Sequence, residues 1–218
     1  LPADFSPVRV LVMEPMFGEG LLSIRNYFRK RKQKVAIDAL VTDTRYLLDV
    51  RSMADNVLQT DTLDHLAEDL HEHYDIIIVG ALLNNLPIRR ILPFFQSCHE
   101  YLRPYGFVYA SLRNYNSLEH TMESLPNAIP HLAYDTVMPL DGRRTYPVTR
   151  LIPALRELFS EPAVQVGYIT GIQHFANEEN VVKSICAALG TMEDDRVYLR
   201  QFFSGDVVVL CIHKGIAD

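Results

Sequence analysis

The stretch Glu14-Pro15-Met16-Phe17-Gly18-Glu19-Gly20 lies between an apolar run and a helical pattern, where a main-chain turn can meet a ligand. Glycines there let backbone approach closely, and the start of a helix offers N–H groups to an anion. The plainer reading is a tight turn with a helix-starting glycine. Met16 stands where a GxGxxG fingerprint has its first glycine, so the dinucleotide turn is not spelled out. Asp38 lies 24 residues past Glu14, close to the spacing of about 20 at which an acid grips ribose hydroxyls. Asp43 competes for that role, and either acid also reads as a strand-end surface group.

Other constellations carry less. His65, His71 and His73 do not share one helical face, and no metal site is expected. His120 and His131 sit in a long irregular stretch and are candidate bases. Ser111 belongs to no nucleophile-elbow pattern, so hydrolase chemistry has no support. Tyr105, Tyr109, Tyr115, Tyr134 and Tyr146 read as packing and loop anchors rather than a stacking platform.

The elements that must position these residues alternate in type. Val8–Met13 reads as a buried strand, and 20–32 as a helix with Leu21, Ile24, Tyr27 and Phe28 at helical spacing. Strands are expected over 35–41, weakly over 56–59, over 74–83, 107–112 and 164–172, and over 207–213. Helices are expected over 44–53, 63–73, 88–102, 149–159 and 177–189, with Arg103-Pro104-Tyr105-Gly106 closing the one over 88–102. Residues 197–203 are open between helix end and hairpin partner. The continuous Ile/Val content of Tyr74 to Leu83 suits a central parallel strand covered on both faces. Repeated strand–helix units predict an α/β fold, a Rossmann-like, mostly parallel sheet with helices on both faces. Ligands then bind outside the carboxyl ends of the strands. The irregular stretch from Arg113 to Pro147 is expected to be a loop of functional rather than idle length.

Size and charge narrow the classes. The chain has 218 residues, 48% hydrophobic and 22% charged, with a net charge of −6. That suits a single α/β domain over 1–218 and excludes disorder as the main state. Bulk attraction to nucleic acid or to an anionic membrane is not indicated. Arg29-Lys30-Arg31-Lys32 with Lys34 falls at a helix end, where positive charge complements the dipole. Three scattered cysteines make neither a zinc spacing nor a disulfide framework, so a cytoplasmic location is expected. No apolar run reaches the roughly 20 residues of a membrane span. A first residue of Leu1 suggests a trimmed chain or a piece of a longer one, with possible covalent neighbour domains.

The order strand–EPMFGEG–helix–VAID, then LQTDTLDHL, YDIIIVGALLNNLPIRRIL and YLRPYGFVYASLRN, resembles the class I S-adenosylmethionine-dependent methyltransferases. It looks most like the branch of the ubiquinone-biosynthesis O-methyltransferases and of methyltransferase domains beside glycan enzymes. Five motifs are in register over about residues 8–114. The resemblance implies a seven-stranded sheet whose last strand runs antiparallel. It implies S-adenosylmethionine as cofactor, bound by Glu14, Met16, Gly18, Gly20, Asp38, Asp61, Gly80 and Ala81. Asp38 would take the ribose, and Asp61 would lie near the adenine. Two departures stand out: Met16 replaces a glycine, and the family's LEH appears as Leu83-Asn84-Asn85.

The expected reaction is methyl transfer to an oxygen or nitrogen of a small-molecule or glycan-type acceptor. Asn84, Asn114 and Arg144 are the candidate catalytic residues, beside Asn85, Tyr115 and Tyr146. Asparagine orients a hydroxyl without deprotonating it, and Arg144 can hold an anionic acceptor or simply pair with Asp141. The alternative is a methyltransferase-like binding or scaffold domain that has lost its chemistry. A nicotinamide dehydrogenase would need the tighter glycine turn.

Overall fold

The computed structural model describes residues 7–60, 70–80, 82–83, 86–113, 148–159, 163–169 and 207–215. The strands are β1 (Val8–Met13), β2 (Val35–Val41), β3 (Asn56–Gln59), β4 (Tyr74–Val79), β5 (Leu102–Arg113), β6 (Val164–Ile169) and β7 (Val207–His213). The helices are α1 (Glu19–Lys30), α2 (Leu47–Arg51), α3 (Ile88–Tyr101) and α4 (Val148–Phe159), with a 3-10 turn over Thr44–Tyr46. The seven strands are ordered β3-β2-β1-β4-β5-β7-β6. β1 pairs in parallel with β2 and β4, β2 with β3, and β4 with β5. The last strands run antiparallel, as expected of this fold. At the end of β7, the Lys214 N–H donates to the Gly106 carbonyl while its own carbonyl accepts from Tyr105 N–H. The end of β7 thus lies beside the start of β5.

The chain divides into two compact units, one of Leu1–Leu83, Arg89–Ala110 and Cys211–Asp218, the other of Asn84–Ile88 and Ser111–Leu210. In the first unit, alternate residues of β1 build one core. Val8, Val10 and Val12 meet Leu21 and Phe28 of α1, Ile37, Ala39 and Val41 of β2, and Val50 of α2. The helix contributes Leu21, Ile24 and Phe28, a spacing that keeps all three on one face. Tyr27, expected on that face, is instead half exposed, because it stands one position before Phe28 on the turning helix. On α3, Ile91, Phe94, Phe95 and Cys98 are buried at the same kind of spacing. In the second unit, Leu151, Ile152 and Leu155 of α4 and Val164 of β6 are buried.

Several boundaries differ from the sequence reading. β4 ends at Val79 rather than Leu83, and Leu82 and Leu83 form a short 3-10 segment. β5 begins at Leu102, so the expected Arg103–Gly106 turn is part of the strand. The reason is a bulge. Tyr74 faces Leu102 and Ile76 faces Phe107, so β5 spends five steps where β4 spends two. Tyr105 takes the excess with a φ of 66°. A Cβ on Gly106 would come within 2.9 Å of the Arg103 and Asp75 carbonyl oxygens, so only glycine fits there. The helices over 63–73 and 177–189 and the segment 197–203 lie outside the described residues, apart from 70–73, which is not α-helical.

Candidate functional site

Three left-handed residues shape the turn after β1. Glu14 and Met16 both have φ of 51°, and Gly18 has φ of 84°. Non-glycine residues pay roughly 1–2 kcal/mol for that conformation, and such strain clusters where a backbone is held for a purpose. Tertiary bonds hold it here. Glu14 N–H donates to the Leu40 carbonyl at 2.8 Å, and the Glu14 carboxylate accepts from Thr42 N–H. Glu14 therefore ties the exit of β1 to the exit of β2. Gly18 N–H closes a turn on the Pro15 carbonyl at 2.9 Å, and Leu21 N–H starts the helix on the Gly18 carbonyl at 2.9 Å.

Gly18 is the N-cap of α1 and provides no side-chain cap. A Cβ there would meet the Met53 sulfur at 2.7 Å. Among the described residues, no protein acceptor takes the N–H groups of Met16, Phe17, Glu19 and Gly20. The turn is thus a row of open donors at a positive helix end, suited to a carboxylate or another anionic group. Met16, 40% exposed, stands at its lip. Met16→Gly should raise folding stability by about 0.5–1 kcal/mol, the left-handed cost less the entropy of the freer unfolded chain. Urea unfolding of the variant beside the parent measures it; a loss of stability would mean that the side chain packs productively.

The second strand separates the two acids. Asp38 lies inside β2, opposite Leu11 and Asn56. Its carboxylate accepts from Asn56 Nδ2 at 2.8 Å and from the Tyr74 hydroxyl at 3.0 Å. Burial, with the Asp38 charge adding to it, pushes the Tyr74 hydroxyl far above its ordinary range, so it stays a donor. Asp38 is therefore engaged within the sheet, three residues before the strand's end. Asp43 is the acid at the exit. It caps the 3-10 turn by accepting from Arg45 N–H at 3.0 Å, and it pairs with the Arg45 guanidinium. The side-chain hydrogen bond from Arg45 holds the Asp43 carboxyl below its usual range.

Two aromatic rings join the turns. Phe17 and Tyr46 meet edge to face, with centroids 5.0 Å apart at 83°. They bring the loop after β1 against the 3-10 turn after β2. Sequence reading missed this pair and the Met53 buttress, since both depend on contacts across strands. The signal that could have placed Asp43 at the strand exit is the ordinary N-cap one, an Asp followed by a helical pattern.

The structure brings Glu14, Met16, Gly18, Gly20 and Asp43 together at the carboxyl ends of β1 and β2. Gly80 follows β4 with open space around it. Asp61, Ala81, Asn84, Asn85, Asn114, Tyr115, Arg144 and Tyr146 lie outside the described residues, as do His65, His120 and His131. Among the described residues no cluster of His, Cys, Asp or Glu suits a metal ion, and no helix is long and apolar enough to cross a membrane.

No family model and no curated protein matches the chain. Solved structures do. A SAM-dependent methyltransferase from Archaeoglobus fulgidus is 15% identical with a TM-score of 0.57, over 95% of this chain and 86% of that one. The putative methyltransferase in complex with the Haloferax volcanii Trm112 activator is 13% identical with a TM-score of 0.57, over 98% and 84%. The plantazolicin methyltransferase BamL, solved with SAH and a substrate analogue, is 13% identical with a TM-score of 0.56, over 96% and 78%. None of these singles out the ubiquinone-biosynthesis branch. With the strand order and the turn after β1, they establish that this chain has the class I S-adenosylmethionine-dependent methyltransferase fold.

Proposed function

We propose that the chain binds S-adenosylmethionine at the carboxyl ends of β1 and β2 and transfers its methyl group to an oxygen or nitrogen acceptor. The observation that carries this reading is the turn itself, with its left-handed Gly18, its open N–H groups and an acid at the next strand's exit. The structural neighbours named as methyltransferases support it. The N–H groups of Met16, Phe17, Glu19 and Gly20 suit the methionine carboxylate. Asp43, past the end of β2, takes the ribose hydroxyls in place of Asp38, which lies inside the strand three residues before its end. The Phe17–Tyr46 pair gives the nucleoside an apolar wall.

The cofactor supplies a methyl group already activated on sulfonium. The protein's share is then alignment and exclusion of water, worth several kcal/mol when the geometry is right. A base is needed only where the acceptor proton must leave early. Asn84, Asn114 and Arg144 remain the proposed acceptor-side residues, for a small-molecule or glycan-type acceptor. A second reading keeps the fold as a binding scaffold; another structure with this fold, 11% identical with a TM-score of 0.57, is named a [4+2]-cyclase, SpnF.

Calorimetric titration with S-adenosylmethionine, its demethylated product and NADH tests the proposal. The first two should bind and NADH should not. Asp43→Ala should weaken nucleoside binding at least about tenfold, the scale of a charge-assisted hydrogen bond, while Asp38→Asn leaves it within about twofold. No binding at millimolar cofactor sinks the reading. Binding without turnover over an acceptor panel favours the scaffold.

A further inference from the structure

We propose that the basic surface at the C-terminal end of α1, built from Arg29, Lys30, Arg31, Lys32 and Lys34, docks the first unit onto an anionic lipid surface. All five residues are exposed. Among the described residues none of them has an ion-pair partner, whereas Arg25, Arg45, Arg103 and Lys214 all do. Five cations within six positions are concentrated in a chain whose net charge is −6.

The helix dipole accounts for only part of the cluster. Arg29 and Lys30 lie in the last turn, where positive charge offsets the negative helix end. The effect fades beyond that turn, and Arg31, Lys32 and Lys34 lie past it. Their mutual repulsion has no internal answer. Lys32 also occupies the position after the C-cap with a φ of 56°, where glycine is the usual residue. The motif around it is complete. Lys32 N–H donates to the Arg29 carbonyl at 3.0 Å and Gln33 N–H to the Phe28 carbonyl at 3.1 Å. A lysine at that position carries a left-handed cost that glycine would avoid, and what it adds is an exposed charge.

Placement decides the orientation. Val8 N–H donates to the Lys34 carbonyl at 3.0 Å, so the cluster lies at the amino ends of β1 and β2. Arg9 lies at the same end of the sheet, where Arg103 and Lys214 are paired with Asp75 and Glu72. Of the acids there, Glu72 is paired with Lys214, Asp55 with Arg25, Asp75 is fully buried, and Glu100 is exposed at the end of α3. The turn after β1 is at the other end of α1, roughly 18 Å away at 1.5 Å per residue. Docking through the cluster therefore leaves the proposed cofactor site facing away from the surface.

A plane of lipid headgroups fits better than nucleic acid. Base stacking needs a free ring face, and the half-exposed Tyr27 ring has the Arg31 guanidinium over one face at 3.7 Å and Phe28 against it edge to face. Phe28 is buried, so no apolar side chain of the cluster is left to insert. What remains is a compact set of point charges on one end of the unit, the arrangement that a diffuse anionic surface attracts. The attraction is electrostatic and hence salt-sensitive.

Co-sedimentation with vesicles tests this, independently of any cofactor. The 218-residue chain should bind phosphatidylcholine vesicles containing phosphatidylserine at low salt, bind pure phosphatidylcholine weakly, and release at high salt. Each neutralised cation should lower partitioning about fivefold, so Lys30→Gln/Lys32→Gln should lose about 25-fold. Arg51→Glu, an equal change in net charge on α2, should stay within about twofold. Equal binding to both vesicle types, an equal loss in the Arg51→Glu control, or tighter binding of a single-stranded oligonucleotide than of the anionic vesicles would overturn the proposal.

Discussion

Gly18→Ala should cost about 2–3 kcal/mol of folding stability and remove most nucleoside binding, because two separate penalties fall on one methyl group. The first is conformational. At φ of 84° an L-residue pays roughly 1–2 kcal/mol that glycine does not. The second is steric, since the new Cβ would stand 2.7 Å from the Met53 sulfur and 3.7 Å from Leu21 Cδ1. Methionine is flexible and can yield, but Met53 packs against the core beneath α1, so its retreat loosens the floor of the turn. A double-mutant cycle separates the two penalties. Met53→Ala in the Gly18→Ala background should recover the steric part, about 1 kcal/mol, and leave the backbone part. Urea unfolding and titration with the demethylated cofactor are the readouts. Full recovery in the double variant would show that left-handed geometry at residue 18 carries no cost, and would undermine the account of the turn.

The same turn shows what was legible in the sequence. β1 and β2 have the bounds that their apolar runs suggested, because a parallel strand buried in the sheet leaves a near-continuous hydrophobic signature; the weaker β3 and the antiparallel β7 also have their expected bounds. The glycine turn was visible as residue types, yet its geometry was not. Nothing in the letters says that Glu14 and Met16 share the left-handed conformation of Gly18. The choice between Asp38 and Asp43 turned on where β2 stops. Ala39, Leu40 and Val41 continue the strand past Asp38, and the register with Asn56 puts that acid in the sheet. Spacing from Glu14 favoured Asp38, inside the strand, whereas the proposed ribose acid, Asp43, lies beyond its end. β5 hid its start for the opposite reason: Pro104 and Gly106 look like a turn, and only pairing with Lys214 and the bulge opposite Tyr74 draw them into a strand. The basic cluster was read as a helix end, and it is one. Its unpaired excess became visible only once the last helical residue was placed at Lys30.

Asp75→Ala should destabilise the first unit by about 3 kcal/mol without touching the proposed cofactor site. Asp75 is fully buried at the start of β4. One carboxylate oxygen accepts from Arg9 N–H at 2.7 Å, and the other lies 3.6 Å from the Arg103 guanidinium with no closer partner. The side chain thus closes the first rung between β1 and β4, one step before Val10 faces Ile76. Truncation strands a half-buried N–H on β1 and a partly buried cation on β5. An unsatisfied donor costs about 1–3 kcal/mol, and breaking a buried pair costs about 3–5 kcal/mol; the exposure of Arg103 brings the sum to the lower figure. Asp75→Asn separates the two contributions, because its amide oxygen still accepts from Arg9 while its charge is gone. If the β1 rung dominates, the asparagine variant should lose only about 1 kcal/mol; if the Arg103 pair dominates, it should lose nearly as much as alanine. Denaturant unfolding with an unchanged m-value distinguishes these results. A loss below about 1 kcal/mol for alanine itself would mean that water replaces the carboxylate, and that the backbone ladder and apolar contacts suffice to hold β4 to β1.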